Sequence, residues 1–534
     1  MPGLTDRNRP WWALIGSCLG LFVLMLDSTV VSLALPAIQR DLDASASSLQ
    51  WVMNAYLLVI AVLVVTASRL GDIYGRRRVF VIGMGVFAAG SVLSATAWTD
   101  TAIIAGRVVQ GIGGAGLISL SLAIASDAFP ASQQARAIGI WTGVSSIALA
   151  VGPLFGGVLV EVDWRLIFWI NLPVTALGIA IVLAAARESR DPEAGRRVDV
   201  PGLVTLSAGL GAVVLALIEG EGWGWTSMAT LGLGGAGVLL LALFCLVETR
   251  VTNPIVEFPL FRNGPYFGAT AAAFTLVGSY WTLMYFEPQY LQNVLDYSAI
   301  ESGVLILPIT VPMIAISPFA GRLIARFGPR ALMTAGMLCA AAGLILLTRI
   351  DVHSGYGALL PGFALFGIAL GLVYAPMSTA AMVAMPRAKA GIASGVLAMN
   401  RVLAGAVALA AAGAAFESFK QDRLGELSSQ RGLGLDESER AELDGLLAGS
   451  ESARRTLAAQ SAGVADRVTE AVRETFSFAL SNSIWILVGL TAVGVVLTWG
   501  FVRSPGQAGD DPTVAGDVPP SELRHHQHHR RFHL

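Results

Sequence analysis

Long hydrophobic runs alternate along the chain with short segments that hold most of its charge. A run of about 20 apolar residues crosses a bilayer as an α-helix. The pattern predicts fourteen such spans, at residues 11–35, 49–68, 79–98, 102–127, 136–160, 166–186, 200–219, 228–248, 266–290, 302–321, 331–349, 356–384, 394–416 and 482–502. We therefore expect an all-α protein that crosses the membrane many times.

Composition agrees with that class and excludes several functions. Of the 534 residues, 54% are hydrophobic and only 13% are charged, whereas soluble domains carry about 25% charged residues. The two lysines lie outside any phosphate-binding loop motif, so direct use of ATP is not expected. The sequence has no nucleophile–base or metal-ligand constellation. It therefore indicates no enzyme, metal, cofactor or nucleic-acid partner.

Basic residues predict the orientation, because they accumulate in cytoplasmic loops. One set of loops and the N-terminal segment hold 18 of them, and the short loops on the other side hold Arg40, Arg165 and Arg349. Both termini are therefore expected in the cytoplasm, and residues 417–481 are expected to form the one long external loop. No cleavable signal peptide is expected before the first span.

The first span holds a single charged residue, Asp27, among the 25 residues from Trp11 to Leu35. A carboxylate inside such a helix costs roughly 2.5–3.5 kcal/mol on insertion scales. Groups of this kind usually face a cavity and mark an ion or substrate pathway. Asp27 is therefore a candidate proton carrier, and the alternative is an ion pair that only joins two helices.

A weak internal repeat divides the chain in two. The segment 68–77 recurs as 321–330, at a constant offset of 253 residues. Two similar six-span bundles with a substrate site between them are the architecture of alternating-access transporters. The expected domains are a first bundle (1–186), a linker with two inserted spans (187–265), a second bundle (266–502) and a cytoplasmic tail (503–534).

Five local patterns carry a resemblance to a known family. They are Leu26–Val31 with Ala34–Pro36, Arg69–Asp72 with Gly75–Arg78, Arg107–Gly111, Gly143 with Gly152–Gly157, and Trp164–Pro173. In this order they resemble the major facilitator superfamily, and within it the fourteen-span drug:proton antiporters. Ser68 and Ile73 depart from the second pattern, where glycine and a basic residue are usual. The resemblance implies two six-helix bundles plus two inserted helices.

Two groups of residues are expected to control conformation. Gly152 and Gly156 share one helix face and admit a close neighbour, while Pro153 loosens the backbone hydrogen bonding there. The resemblance favours a moving surface, also including Gly143 and Gly157, over an ordinary helix contact.

Asp72 and Arg76 form the second group. Asp72 can accept hydrogen bonds from helix ends or from arginines across the bundle interface, which would hold the cytoplasmic side closed. The alternative for the basic residues 76–78 is topology anchoring and contact with anionic lipid.

Depth links Asp27 to Arg107 in the fourth span. Asp27 lies ~14 Å from the outer end of its helix, and Arg107 lies ~9 Å from the same surface, at 1.5 Å per residue. A nearby arginine stabilises the charged carboxylate, whereas dehydration disfavours it. Movement between the two environments would take up and release a proton.

Candidate substrate contacts lie in the ninth span: Trp281, Tyr285, Phe286 and Glu287. The aromatic side chains could line a cavity or act as interfacial anchors. Glu287 is expected close enough to the outer surface for water to reach it. There it could attract an organic cation through charge and cation–π contacts, or serve no function.

The leading functional hypothesis is export of a drug- or antibiotic-like amphipathic or cationic compound in exchange for protons. The proton gradient would supply the energy, and the expected location is the bacterial plasma (inner) membrane. The expected partners are a small-molecule substrate, protons and the lipid bilayer, and a monomer is expected. The alternatives are a proton-coupled transporter of a dedicated metabolite or siderophore, and a membrane receptor that does not transport.

Overall fold

The structure is a computed structural model that describes residue 5 and residues 7–190, 199–251, 254–316, 319–385, 390–430 and 462–502. Helices dominate this part of the chain, which contains no strand. They are α1 (Arg9–Leu42), α2 (Ala46–Tyr74), α3 (Arg76–Ala95), α4 (Asp100–Asp127), α5 (Ala131–Val162), α6 (Leu166–Trp169), α7 (Asn171–Ala185), α8 (Val200–Trp223), α9 (Met228–Glu248), α10 (Gly264–Gln289), α11 (Ala299–Ile316), α12 (Ala320–Leu347), α13 (Tyr356–Val383), α14 (Ala390–Gln430) and α15 (Ala462–Phe501). A 3₁₀ turn (Phe258–Arg262) precedes α10, and a π-helical turn (Tyr290–Val294) follows it. The all-α prediction is confirmed.

These helices correspond to the fourteen predicted spans, with α6 and α7 forming one span that is interrupted at Ile170. Thirteen spans in the described residues are long and apolar enough to cross a membrane. Helix α10 is outside that set because it carries many small, hydroxyl and amphipathic aromatic residues. It is nonetheless buried along most of its length. A helix enclosed by other helices needs less hydropathy than one that faces lipid.

Two groups of helices pack among themselves. Helix α1 packs against α4, α5 and α7, and α10 packs against α13, α14 and α15. The two groups meet mainly where α2 lies against α14 and where α5 lies against α11. The predicted substrate region between the two bundles is therefore bounded by the α2–α14 pair on one side and by the α5–α11 pair on the other.

The internal repeat is visible in the backbone. Gly75 and Gly328 are 253 residues apart, and both have positive φ, 114° and 77° respectively. Glycine adopts this backbone region without the steric penalty that a side chain brings. The corresponding segments therefore make the same kind of sharp turn, which ends α2 and bends α12.

The inserted helices lie beside one bundle contact. Helix α8 packs against α9 and also against both α2 and α14. A hydrophobic cluster at this junction includes Val62, Leu206, Phe244 and Met399. The pair α8–α9 thus packs beside the α2–α14 contact.

The segment predicted as a long external loop is helical where it is described. Helix α14 continues to Gln430, and α15 begins at Ala462. Arg423 forms an ion pair with Glu474 at 2.6 Å, which joins the two helical extensions. Residues 431–461 of the predicted loop and the tail after Val502 lie outside the described part of the chain, and the membrane orientation remains a prediction.

Candidate functional site

The structure joins Asp27 to Arg107. Nη1 of Arg107 donates to Oδ2 of Asp27 at 2.5 Å, and the side chains are completely buried. Helix α4 runs beside α1, which sets the two residues at the same level, as the depth estimate predicted. The proton-coupling role of this pair is a separate question and remains a prediction.

Two amides complete the surroundings of the carboxylate. Oδ1 of Asp27 accepts hydrogen bonds from Gln110 at 3.0 Å and from Asn171 at 2.8 Å. Ser91 receives a second hydrogen bond from each amide. Both carboxylate oxygens therefore have donors, as a buried charge requires.

Arg107 is also held from several directions. Its Nε donates to the carbonyl oxygen of Val52 at 3.1 Å, and its Nη1 also donates to Gln110 at 2.9 Å. The Arg107 guanidinium carbon lies 3.9 Å from the centroid of the Tyr56 ring, within cation–π range. Helices α1, α2, α3, α4 and α7 thus all contribute to one polar cluster inside the first bundle.

Sequence reasoning missed Gln110, Asn171, Ser91 and Tyr56 as members of this cluster. Gln110 lies one turn from Arg107 within a family pattern, and Asn171 lies within another. These patterns were a usable signal, since an amide inside an apolar span needs a partner. Ser91 and Tyr56 stood in no such pattern.

The predicted glycine surface of α5 divides between two neighbours. A methyl group built at Gly152 would collide with Thr29 of α1, and one built at Gly156 would lie 3.2 Å from Cα of Val30. At Gly157 it would lie 2.6 Å from the carbonyl oxygen of Ala299 in α11. These glycines therefore join α5 both to α1, which carries Asp27, and to α11 of the opposite bundle.

The α5–α11 contact is uneven along its length. A methyl group built at Gly303 would collide with the carbonyl oxygen of Pro153, near the predicted outer ends of both helices. At Gly143, toward the predicted cytoplasmic end, it would meet no heavy atom of another described element within 4 Å. Among the described residues, α5 and α11 are therefore in close contact near the outer end of this helix pair, and no such contact is present at Gly143.

Asp72 and Arg76 lie together, 2.8 Å apart, and Arg76 also pairs with Asp127 at 2.6 Å. Glu188 accepts a hydrogen bond from the backbone of Arg77 at 3.0 Å. Asp72, Arg76 and Asp127 belong to the first bundle, and Glu188 lies at the start of the linker that follows it. The expected contact of Asp72 across the bundle interface is not among the contacts of the described residues, and the gating role of Asp72 and Arg76 remains a prediction.

The candidate substrate residues of α10 do not form one surface. Phe286 lies 4.9 Å from both Tyr285 and Phe416 by ring centroids, which places it in an aromatic cluster inside the second bundle. Trp281 instead faces Gly405 of α14 and the neighbourhood of Leu57 in α2. Of this set, Trp281 lies at the junction of the bundles.

The expectation that water reaches Glu287 is wrong for this conformation. The residue is 0% exposed, because α10 is enclosed by α13, α14 and α15 rather than lying at the surface. Neither carboxylate oxygen has a hydrogen-bond partner among the described residues. Position along the helix gave the depth of Glu287 but not the side to which it points.

Comparisons with known proteins decide the family. The model of the Major Facilitator Superfamily matches residues 17–409. The chain belongs to the Major Facilitator Superfamily. This confirms the resemblance predicted from the five sequence patterns and identifies the chain as a transporter rather than an enzyme.

Relatives within the family are drug and antibiotic exporters. The chain is 38% identical to the multidrug resistance protein Stp of Mycobacterium tuberculosis, over 75% of this chain and 74% of that protein. It is also 38% identical to the tetracenomycin C resistance and export protein of Streptomyces glaucescens, over 73% and 72%. A multi-pass bacterial membrane transporter related to resistance proteins follows from these similarities.

Solved structures agree with the fold. A bacterial homolog of the human lysosomal transporter Spinster, in an inward-facing and unoccupied conformation, aligns with a TM-score of 0.64 at 17% identity. The alignment covers 93% of this chain and 99% of that structure. At this identity the similarity shows the major facilitator fold alone.

Proposed function

We propose that this transporter exports a drug- or antibiotic-like amphipathic or cationic compound in exchange for protons. The observation that carries the proposal is the buried Asp27–Arg107 pair, with its complete set of donors, in a relative of antibiotic exporters. An ionisable group in a membrane helix usually marks an ion pathway. Asp27 is the proton carrier in this proposal, and Arg107 stabilises its charged form.

The packing of α5 connects the region around Asp27 to the opposite bundle. Gly152 lies against Thr29, two residues from Asp27, and the same stretch of α5 contacts α11 of the opposite bundle. When the bundles rock against each other, α5 must move relative to at least one of these neighbours. Movement against α1 displaces Asp27 from Arg107 or from its amide donors, so the carboxylate loses partners that its buried charged form needs.

In this proposal, substrate and proton do not compete for one binding site. Their binding is linked because each favours a different packing of the two bundles. With Asp27 charged and paired, both of its carboxylate oxygens have donors in the conformation seen here. Protonation removes the main attraction to Arg107 and favours the alternative packing. A compound that enters between the bundles from the cytoplasm would be carried outward by the same rearrangement, driven by the proton gradient.

The decisive variant is Asp27→Asn, tested in proteoliposomes with an imposed pH gradient and ethidium as the transported probe. We expect the variant to be folded and inserted but to build no proton-driven ethidium gradient. The matched control is Asp41→Asn in the same helix, where the carboxylate is 46% exposed and pairs with Arg165. Full proton-driven accumulation by the Asp27 variant would place the proton carrier elsewhere.

A further inference from the structure

A second arginine, Arg401, lies inside the membrane-spanning part of α14. It is about 16 Å from the first residue of the helix at 1.5 Å per residue, and its side chain is partly buried. Arginine at such depth is costly and usually pairs with an acid or faces a functional cavity. The residues around Arg401 therefore indicate whether its guanidinium pairs with an acid or faces a binding site.

No acidic side chain in the described part of the chain pairs with Arg401. The guanidinium donates through Nη2 to the hydroxyl of Ser378, and its Nε is buried without a hydrogen-bond partner among the described residues. Ser378 is neutral, so the positive charge is not balanced. This distinguishes Arg401 from Arg107, whose charge meets the carboxylate of Asp27.

One aromatic ring contacts this unbalanced charge: the guanidinium carbon of Arg401 lies 4.8 Å from the centroid of the Tyr374 ring. Helix α10, which packs against both α13 and α14, carries Tyr280, whose buried hydroxyl has no hydrogen-bond partner among the described residues. Trp281 packs edge-on against Tyr280, with ring centroids 5.2 Å apart.

The cluster faces the region where the two bundles meet. Gly405 follows Arg401 by one turn on the same face of α14. A methyl group built at Gly405 would lie 2.5 Å from Cδ1 of Trp281 and 3.2 Å from Cδ1 of Leu57 in α2. A compound between the bundles would therefore meet Arg401, Tyr280 and Trp281 from the side of the second bundle.

We propose that this cluster, comprising Arg401, Ser378, Tyr374, Tyr280 and Trp281, binds a planar aromatic compound that carries an acidic group, such as a carboxylate or a phenolate. The acid would accept hydrogen bonds from Nε of Arg401 and from the Tyr280 hydroxyl, both of which lack a partner. The rings would pack against the aromatic part of the ligand. This inference rests on the proposed export function and names a substrate class for it.

The test compares anthraquinone-2-carboxylate with its methyl ester, which keeps the planar rings and removes the charge. Binding is measured by quenching of tryptophan fluorescence in phosphatidylcholine nanodiscs. We expect wild-type protein to prefer the acid by about tenfold or more, the range for a hydrogen bond to a charged group. Arg401→Gln should abolish this preference and change ester binding less than about twofold.

Two further variants keep the test decisive if Arg401→Gln folds poorly. Arg401→Lys retains the charge and should retain part of the preference for the acid, since lysine lacks the planar fork of arginine. Tyr280→Phe removes only the hydroxyl and should weaken acid binding about threefold or more. The matched control, Arg349→Gln, alters an exposed arginine in the loop before α13 and should behave as wild type.

Equal binding of acid and ester by wild-type protein would overturn the proposal, as would an unchanged preference in Arg401→Gln. Displacement of the acid by phosphatidylglycerol in the nanodisc would overturn it as well, because the cation would then serve a lipid headgroup. Proton-driven export is measured separately with both probes. Loss of that export with acid selectivity intact would contradict the proposed antiport and leave this site standing.

Discussion

Two sets of ionisable residues inside the bundles, Asp27 with Arg107 and Glu287 with Arg401, have opposite surroundings. In the first bundle, Asp27 has a cation and two amides as partners, and Arg107 has a carboxylate, a carbonyl oxygen and an aromatic ring. In the second bundle, Glu287 and Arg401 have no opposite charge as a partner among the described residues. A self-contained polar cluster suits a proton, whereas unpaired groups suit a ligand that brings its own polar atoms.

The internal repeat sharpens this contrast. An offset of 253 residues places Tyr280 at the position that corresponds to Asp27. Both side chains are buried in the first helix of their bundle, but Tyr280 is a neutral phenol whose hydroxyl has no partner among the described residues. Equivalent positions in the two bundles thus carry different chemistry: among the described residues, Asp27 has hydrogen-bond partners for both side-chain oxygens, and the Tyr280 hydroxyl has none.

The largest expected effect comes from Arg107→Ala, which removes the cation from the Asp27–Arg107 ion pair of the first bundle. Removing one partner of a buried ion pair costs about 3–5 kcal/mol, because the remaining charge is left uncompensated. We expect the variant to lose stability by that amount in unfolding measurements at neutral pH. The double variant Asp27→Asn with Arg107→Gln should recover most of it while remaining uncoupled.

Arg107→Ala also tests the coupling role. Without the cation, the Asp27 carboxylate keeps only its two amide donors. The pH dependence of any remaining transport should therefore change. Remaining transport with the wild-type pH profile would contradict a role for Arg107 in proton release.

An intermediate effect is expected at the contact between the bundles. Gly303→Ala places a methyl group against the carbonyl oxygen of Pro153, so α5 and α11 cannot pack as they do here. We expect proton-driven export to fall about tenfold, which corresponds to about 1.4 kcal/mol in the disfavoured packing. Gly85→Ala in α3 is the control, since its methyl group would meet no heavy atom of another described element within 4 Å. Similar losses for both variants would indicate that the loss does not come from the α5–α11 contact.

The smallest effect is expected for Glu287→Gln in the second bundle. If an organic cation reaches this carboxylate in another conformation, its removal should weaken ethidium export about threefold, the scale of a modest charge or cation–π contact. Export of a neutral probe should be unchanged. The control is Glu161→Gln, which alters an exposed carboxylate near the outer end of α5. A loss for both probes would indicate damaged folding, and no loss would leave Glu287 without a role in substrate binding.

The sequence by itself determined the class, the helices and the two charged members of the central cluster, Asp27 and Arg107. Runs of apolar residues are long enough to define membrane spans without tertiary information, and Asp27 was recognisable because it is the single charge in such a run. The constant rise of a helix then placed Arg107 at a similar depth. Depth along a helix is a local property, so it could be read from the chain.

Only the tertiary structure decided which way the side chains point and which of them meet. Gln110 and Asn171 join Asp27 because α4 and α7 pack beside α1, and Arg401 has aromatic neighbours because α13 and α14 bring Tyr374 and Ser378 to it. Glu287 was misjudged for the same reason, since its depth suggested water but the neighbouring helices enclose it. Rotation about a helix axis and the choice of neighbour depend on packing between distant parts of the chain, and the hydrophobic pattern of a membrane helix specifies these only weakly because lipid and protein interior are both apolar.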